Sequence, residues 1–329
     1  MLSLYLYVME LNFKNILFGL LVFFLTLLIG LYFIYQNIPG KPVKLNPVII
    51  SIPIVQNQTY EEVKQFYPAM KFNHNKISYS IAKDCDDTKR SRMLEAFDIL
   101  ASKIGLIEFY EVLDKADIEI TCSEQEKKNE KEYFIAGEGG AREIISTGRY
   151  NIITNGTVIL HENPHGFIKC NWANVELHEL IHVFGFDHSK NPNSLMYPYL
   201  ENCEQKLDDS IINELKVLYS EDNLADLYFE NISVIKKRKY LDFNLTVKNS
   251  GSINAQNVKL SVFDEDELIQ TFDLKDENGE IKYGAGIIVG IENLKLKHTN
   301  PKEIKLIIDN NNFIKEIDEE NNIALIKFE

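Results

Sequence analysis

Residues 174 to 189 read NVELHELIHVFGFDHS and hold three histidines and a glutamate at chemically informative spacings. On an α-helix His178 and His182 lie one turn apart and roughly 40° round the axis, so both imidazoles leave the same face toward one point. Such a pair chelates a divalent ion. Gly185 can take a left-handed conformation that ends the helix and turns the chain, which lets His188 return as a third ligand. Three neutral imidazoles leave the fourth tetrahedral position of zinc open to water, the pattern of a catalytic rather than a structural site. Glu179 follows the first ligand and points beside the metal. There a carboxylate can take a proton from that water and later hand it to a leaving group. From average residue usage, the string H-E-x-x-H-x-x-G-x-x-H has chance odds on the order of one in 10⁵ in such a chain.

A ligand-bearing helix needs a back that packs. At about 100° per residue from His178, the residues Leu177, Leu180, Ile181 and Phe184 fall opposite the histidines and predict a core-facing side. The elements around it follow from periodicity. Residues 77–81 alternate like a strand, and Asp86 and Asp87 open a helix whose apolar positions Met93, Phe97, Leu100 and Ile104 recur before Gly105. Strands are expected at 107–110 and 118–121. A polar loop over 123–132 and the glycine-rich Gly137-Glu138-Gly139-Gly140 lead to strands near 142–147 and 150–160, then helices near 174–185 and 208–219. After about Asn223 the chain reads as strands at 227–235, 239–248, 256–265 and 304–309 with no helix, an all-β unit of sandwich size. No repeat of solenoid period is found.

The 329 residues exceed one ordinary hydrophobic core, and 45% hydrophobic with 26% charged residues excludes a disordered or fibrous chain. A net charge of −14 repels a phosphate backbone and argues against nucleic acid as a partner. Lys14 to Lys41 brackets a stretch without charge. Its apolar run, about 16–35, would span roughly 30 Å as a helix and predicts a transmembrane anchor; its length disfavours a cleaved signal peptide. The flanking lysines, Lys14 against Lys41 and Lys44, set no clear orientation. Four cysteines outside metal-type spacing, with sequons at Asn57, Asn155, Asn231 and Asn244, predict that the catalytic and C-terminal units are extracytoplasmic. The expected organisation is an N-terminal segment 1–36, a proline-bearing stalk 37–60, an α+β catalytic domain 61–223, and a β-sandwich 224–329.

The chain at this point resembles the metzincin metalloproteases, whose signature adds a methionine turn beneath the metal. Ser194-Leu195-Met196-Tyr197-Pro198 follows His188 at a fitting distance. Ser189 after the third histidine, with Leu-Met-Tyr-Pro, is similar to the matrixin group over about residues 70–220. The resemblance implies a twisted mixed sheet with the zinc-binding helix, one catalytic Zn²⁺, and an extended polypeptide substrate pairing with an edge strand, for which Ala141 to Ser146 is the candidate. Departures are Ile181 and Phe184 where matrixins have Gly and Leu, which leave the ligands untouched. Tyr199 directly follows Pro198, so the depth of the S1′ specificity pocket is not fixed by analogy. No cysteine-switch segment is seen, and His161 and His165 read as surface residues rather than a second zinc site. Cys170 and Cys203 flank the zinc-binding segment and could be bonded, leaving Cys85 with Cys122, one of three connectivities. Ile181, Phe186 and Asp187 are also similar to a zinc-dependent ribosomal RNA maturation family, which lacks the glutamate and fits this acidic chain less well.

Leu245 to Gly251, Ala255 to Val258 and the acidic Asp309 to Asn322 resemble the CARDB module, an immunoglobulin-like sandwich of prokaryotic surface proteins, over about 225–329. Ca²⁺ at the acidic segment is an alternative, but turn hydrogen bonding is the simpler role. The sandwich would space the protease, dock substrate or bind a cell-surface partner. The expectation is a membrane-anchored zinc endopeptidase; the rival is an adhesion or scaffolding protein with a structural metal site.

Overall fold

The computed structural model describes residues 2–49, with side chains from residue 14, and residues 64–130, 134–162, 170–200 and 202–328. Helix α1 (Leu2–Asn37) comes first. Its stretch Lys14–Asn37 is long and apolar enough to cross a membrane by length and composition, and none of its apolar window packs inside the protein. Two short strands follow, β1 (Pro42–Leu45) and β2 (Pro47–Ile49).

The first domain is built on a mixed sheet. Its strands are β3 (Met70–Lys71), β4 (Lys76–Ile81), β5 (Glu108–Glu111) and β6 (Ile118–Cys122), followed by the small ribbon β7 (Lys127–Lys128) and β8 (Phe134–Ile135), then β9 (Gly137–Ser146) and β10 (Asn151–Leu160). The order is β3-β10-β6-β4-β5, all parallel, with β9 antiparallel to β10 at the edge. Helix α2 (Asp87–Ile104) starts where the Asp86 carboxylate accepts from the N–H groups of Thr88 and Lys89, and stops at left-handed Gly105. Helices α3 (Asn174–Val183) and α4 (Asp209–Ser220) complete the domain. Ile77, Met93, Phe97, Leu100, Ile118, Ile120, Val158, Leu177, Leu180, Ile181 and Phe184 share one buried cluster, so the apolar positions read from periodicity are those that meet. Disulfides join Cys85 to Cys122 and Cys170 to Cys203.

The second domain is a two-sheet sandwich with a separate core. Its strands are β11 (Leu227–Lys237), β12 (Tyr240–Asn249), β13 (Ala255–Gln256), β14 (Val258–Asp264), β15 (Glu267–Leu274), β16 (Glu280–Ile281), β17 (Gly286–Lys295), β18 (Glu303–Ile308) and β19 (Ile323–Lys327). One sheet runs β1-β11-β12-β17 and the other β15-β14-β18-β19-β2. The stretch expected as stalk is therefore structured where it is described. Pro42 to Leu45 pairs with Val234 to Lys237, and Pro47 to Ile49 with Ala324 to Ile326, so one segment stitches both sheets at their edges. Pro42 and Pro47 are compatible with this because edge strands tolerate a missing N–H. The remainder of the stalk, residues 50–60, lies outside the described residues, as do Asn57 and His165.

The two domains meet through polar contacts. The turn between β9 and β10 sends Thr147 Oγ1 to Ser250 O at 2.7 Å and Arg149 Nε to the fully buried Asp226 carboxylate at 3.1 Å. Asn73 Nδ2 donates to Ser252 O at 3.2 Å. In the acidic segment Asp309, Asp318, Glu316 and Glu319 accept from the N–H groups of Ile314, Glu320, Leu227 and Glu316 in turn. Among the described residues this segment forms no cluster of three metal-ligating side chains, and the hydrogen bonding supports the turn role.

Candidate active site

Helix α3 carries His178 and His182 from one face while Leu177, Leu180, Ile181 and Val183 are buried against the sheet and α2. The helix ends because Gly185 takes φ +86°, with its N–H donating to His182 O at 2.9 Å. Only glycine serves here twice over, since a Cβ would also strike Met70 Sδ and come 2.6 Å from its Cε. The chain then returns as a short bridge between Phe186 and Gln65 and brings His188 back to the first two rings.

The three Nε2 atoms converge. His178 and His182 lie 3.1 Å apart, His182 and His188 3.2 Å, and His178 and His188 3.3 Å. These are not hydrogen bonds among the rings. His178 Nδ1 is 2.6 Å from Leu195 O and His182 Nδ1 is 2.7 Å from Phe186 O, so each of those nitrogens carries the proton as donor and turns its Nε2 lone pair inward. Zinc with Zn–N of about 2.0–2.1 Å in tetrahedral geometry separates its ligand atoms by roughly 3.3–3.4 Å, so this donor set fits that ion. Burial lowers His178 to about 3, with the neighbouring His182 adding to the effect, and lowers His182 to about 4. Both rings are thus neutral at physiological pH, the state in which an imidazole can ligate a metal.

Met196 lies in the turn over Ser194 to Tyr197, fully buried, with its N–H on Ser194 Oγ at 3.0 Å and its carbonyl accepting from Ser189 N–H at 2.8 Å. The turn thereby fixes both the Leu195 carbonyl that orients His178 and the chain leaving His188. Around this segment the Cys170–Cys203 bond closes a loop of 33 residues' separation.

Glu179 is only 7% exposed yet lines the same cleft as the histidines. Burial pushes its carboxyl up to about 8; the Gly139 N–H donating to it opposes the rise, and the charges of Glu138 and Glu176 add to it. The cleft has a volume of about 1030 Å³, and Phe66, Ile135, Glu138, Tyr197, Tyr199 and Leu200 are among its walls. Tyr199 does reach the cleft, with its ring 5.8 Å from that of Tyr197.

Several site features escaped the sequence reading. The edge strand begins at Gly137, before the expected Ala141, and it is Gly137 and Gly139 that face α3: a Cβ on Gly137 would lie 2.6 Å from Glu179 Cγ, and one on Gly139 would lie 2.8 Å from Glu179 Cα. The alternation G-x-G at 137–139 was the available signal, since alternate positions of a strand share a face. Gln65 was silent in sequence. Its Nε2 donates to Met70 O and Phe184 O at 2.8 and 2.9 Å and its Oε1 accepts from Met70 N–H, locking the turn before His188. His161, expected at the surface, is instead buried, because it turns inward at the end of β10 to set Nε2 2.7 Å from Glu138 Oε1, an oxygen that Lys127 also binds at 2.6 Å.

Comparison with known proteins agrees with this geometry. The matrixin family model matches residues 71–220, and the CARDB family model matches residues 224–325. Among solved structures, the crystal structure of a CARDB domain from Pyrococcus furiosus in complex with di-metal ions is 19% identical, covering 31% of this chain and 85% of that one with a TM-score of 0.25. A solution structure of the same domain is also 19% identical, over 32% of this chain and 93% of that one, again with a TM-score of 0.25. No curated protein matches the chain. Residues 71–220 thus match the matrixin family model and residues 224–325 the CARDB family model, with the three converging histidines inside the matrixin match.

Proposed function

We propose that this chain is a zinc endopeptidase, anchored by α1 in a membrane and acting on extracytoplasmic polypeptides. The observation that carries the reading is the convergence of three Nε2 atoms within 3.3 Å of one another in a cleft shared with a buried carboxylate. His178, His182 and His188 would hold the ion, which supplies Lewis acidity to a peptide carbonyl and to a water. Glu179 would take the proton of the attacking water and deliver it to the departing amide nitrogen; burial raises the carboxyl's affinity for that proton between the two halves of the transfer. The free edge of β9 beside Glu179 supports pairing with an extended substrate backbone, which lays the scissile bond over the histidines. Two disulfides support an oxidising compartment, and with it the extracytoplasmic assignment.

The test uses Glu179→Ala in the full chain. Zinc content should stay at the wild-type level while hydrolysis of a fluorogenic peptide library vanishes, and a chelator should abolish wild-type hydrolysis reversibly. Proteolysis by the variant at the wild-type rate refutes the mechanism. Inactivity of the zinc-loaded wild type on diverse unfolded polypeptides would favour the adhesion reading.

A further inference from the structure

The end of the sandwich remote from the protease is basic, although the whole chain carries −14. Arg238 and Lys239 form the tight turn between β11 and β12, and Lys236 and Lys237 end β11 beside it. This turn is clamped to the end of α1. The Arg238 guanidinium stacks 4.0 Å from the centre of the Tyr35 ring, donates to Tyr35 O and reaches Ile38 O at 3.5 Å. Gly40 lies so close that a Cβ there would be 3.0 Å from Arg238 Cβ. No free linker separates the apolar helix from the basic turn.

Strand register gathers more cations at the same end. Lys295 pairs with Tyr240, Leu296 N–H donates to Lys239 O at 2.8 Å, Lys236 Nζ reaches Asn300 Oδ1 at 3.1 Å, and Phe328 N–H donates to Lys302 O. Some of these charges are compensated: Lys237 by Asp242, Lys297 by Glu267, and Lys305 by Asp266 and Glu303. Lys41, Lys44, Lys239, Lys295 and Lys302 form no ion pair among the described residues, and all but Lys239 are exposed. The same end also holds the carboxylates of Asp264 and Glu265, Glu265 accepting from Lys302 N–H at 3.0 Å, while the protease-facing end holds the buried Asp226, Glu316 and Asp309.

We infer that this basic end rests on the anionic headgroup phosphates of the bilayer that α1 enters, an inference that depends on the membrane reading above. Uncompensated lysines beside a membrane helix attract anionic lipid within about a Debye length, ~8–10 Å. The rest of the chain is acidic and is repelled by the same surface. Attraction at one end and repulsion elsewhere orient the sandwich basic end down. The occupant is lipid phosphate because the clamp on Tyr35 and Ile38 sets these cations at the helix exit, where headgroups are the adjacent anions.

The experiment places the full chain in neutral phosphatidylcholine bilayers and in bilayers rich in phosphatidylglycerol. Surface lysines are acylated with a membrane-impermeant ester and quantified by mass spectrometry. Labelling of Lys239, Lys295 and Lys302 relative to Lys103 on α2 should fall about 3-fold or more in the anionic bilayer, and high salt should erase the difference. In a variant carrying Lys239→Glu, Lys295→Glu and Lys302→Glu, protection of Lys41 and Lys44 should weaken in parallel. Extraction of the same bilayers with alkaline carbonate reads the anchor separately. Release of the chain refutes the membrane reading; retention with equal labelling in both lipids refutes this inference alone and leaves the basic end to an acidic soluble partner.

Discussion

Gly139→Ala tests whether the close seating of β9 on α3 matters to the chemistry. A Cβ at residue 139 would sit 2.8 Å from Glu179 Cα, 2.6 Å from its carbonyl carbon, and closer still to its carbonyl oxygen. These are backbone atoms of the ligand-bearing helix and cannot rotate aside. Ordinary carbon contacts are ~3.5–4.0 Å, so the strand must withdraw by about 1 Å. The withdrawal also stretches the Gly139 N–H bond to the Glu179 carboxylate. A 1 Å misplacement of reacting groups costs on the order of 10²-fold, about 2.7 kcal/mol in kcat/KM. Overpacking adds ~1–3 kcal/mol of lost stability, so thermal unfolding is followed alongside. Gly140→Ala is the internal control, because a Cβ there meets nothing within 4 Å. The assay is hydrolysis of a fluorogenic peptide by the full chain, with zinc per chain measured on the same samples. Near-wild-type kcat/KM in Gly139→Ala, or an equal loss in Gly140→Ala, would show that this contact does not position the edge strand.

Two further predictions concern stability. The Glu316 carboxyl is pushed up to about 8 by burial, with the charges of Glu319, Asp226 and Asp309 adding to the rise. Folded protein thus keeps a proton that the unfolded chain, at the ordinary 4.5, releases; the stabilisation is complete below about 4.5 and is lost as pH climbs through about 8. Glu316→Gln, whose amide nitrogen donates to Asn322 Oδ1 once the Asn322 amide turns over from its present Nδ2 contact with Glu316 Oε1, should raise the sandwich's melting temperature at pH ~8 and flatten its fall with pH; parallel melting curves for variant and wild type across the range would contradict this. Replacing Cys170 and Cys203 by serine opens a loop of 33 residues' separation and should cost about 3.7 kcal/mol by loop-closure entropy. Denaturant unfolding reads it, and a loss under ~1 kcal/mol would mean that the unfolded segment is already constrained.

The histidine helix was legible because its histidines and its packing share one period: His178 and His182 on one face, Leu177, Leu180 and Ile181 on the other, and Gly185 at the end. Asp86 and Gly105 bounded α2 in the same way, through side-chain capping and a left-handed stop. What sequence left out is mostly long-range. The pairing of residues 42–49 with strands near 235 and 325 depends on partners almost two hundred residues or more away, and prolines in that stretch suggest a linker until the edges they close are known. Gln65 carries no motif, since its role lies in three hydrogen bonds to main-chain atoms at Met70 and Phe184. Strands β15, β17 and β19 were missed for a different reason. Edge strand β15 exposes most of its residues without clean alternation, whereas β17 and β19 alternate in burial but read in sequence as nearly uniform apolar runs over 286–291 and 323–326.

Residues 42–49 have one more consequence, for reach. Along the chain the protease precedes the sandwich, yet the helix is joined to the sandwich's far end and the protease sits on its near end. Strands of 10 and 11 residues such as β12 and β11, at ~3.3 Å per residue, make that body roughly 35 Å tall. On the proposed membrane and peptidase readings, the cleft would be carried that far out on a folded pedestal rather than on a tether. Peptide bonds close to the lipid surface would then lie beneath its working height, and those it meets would belong to chains that project well beyond the headgroups.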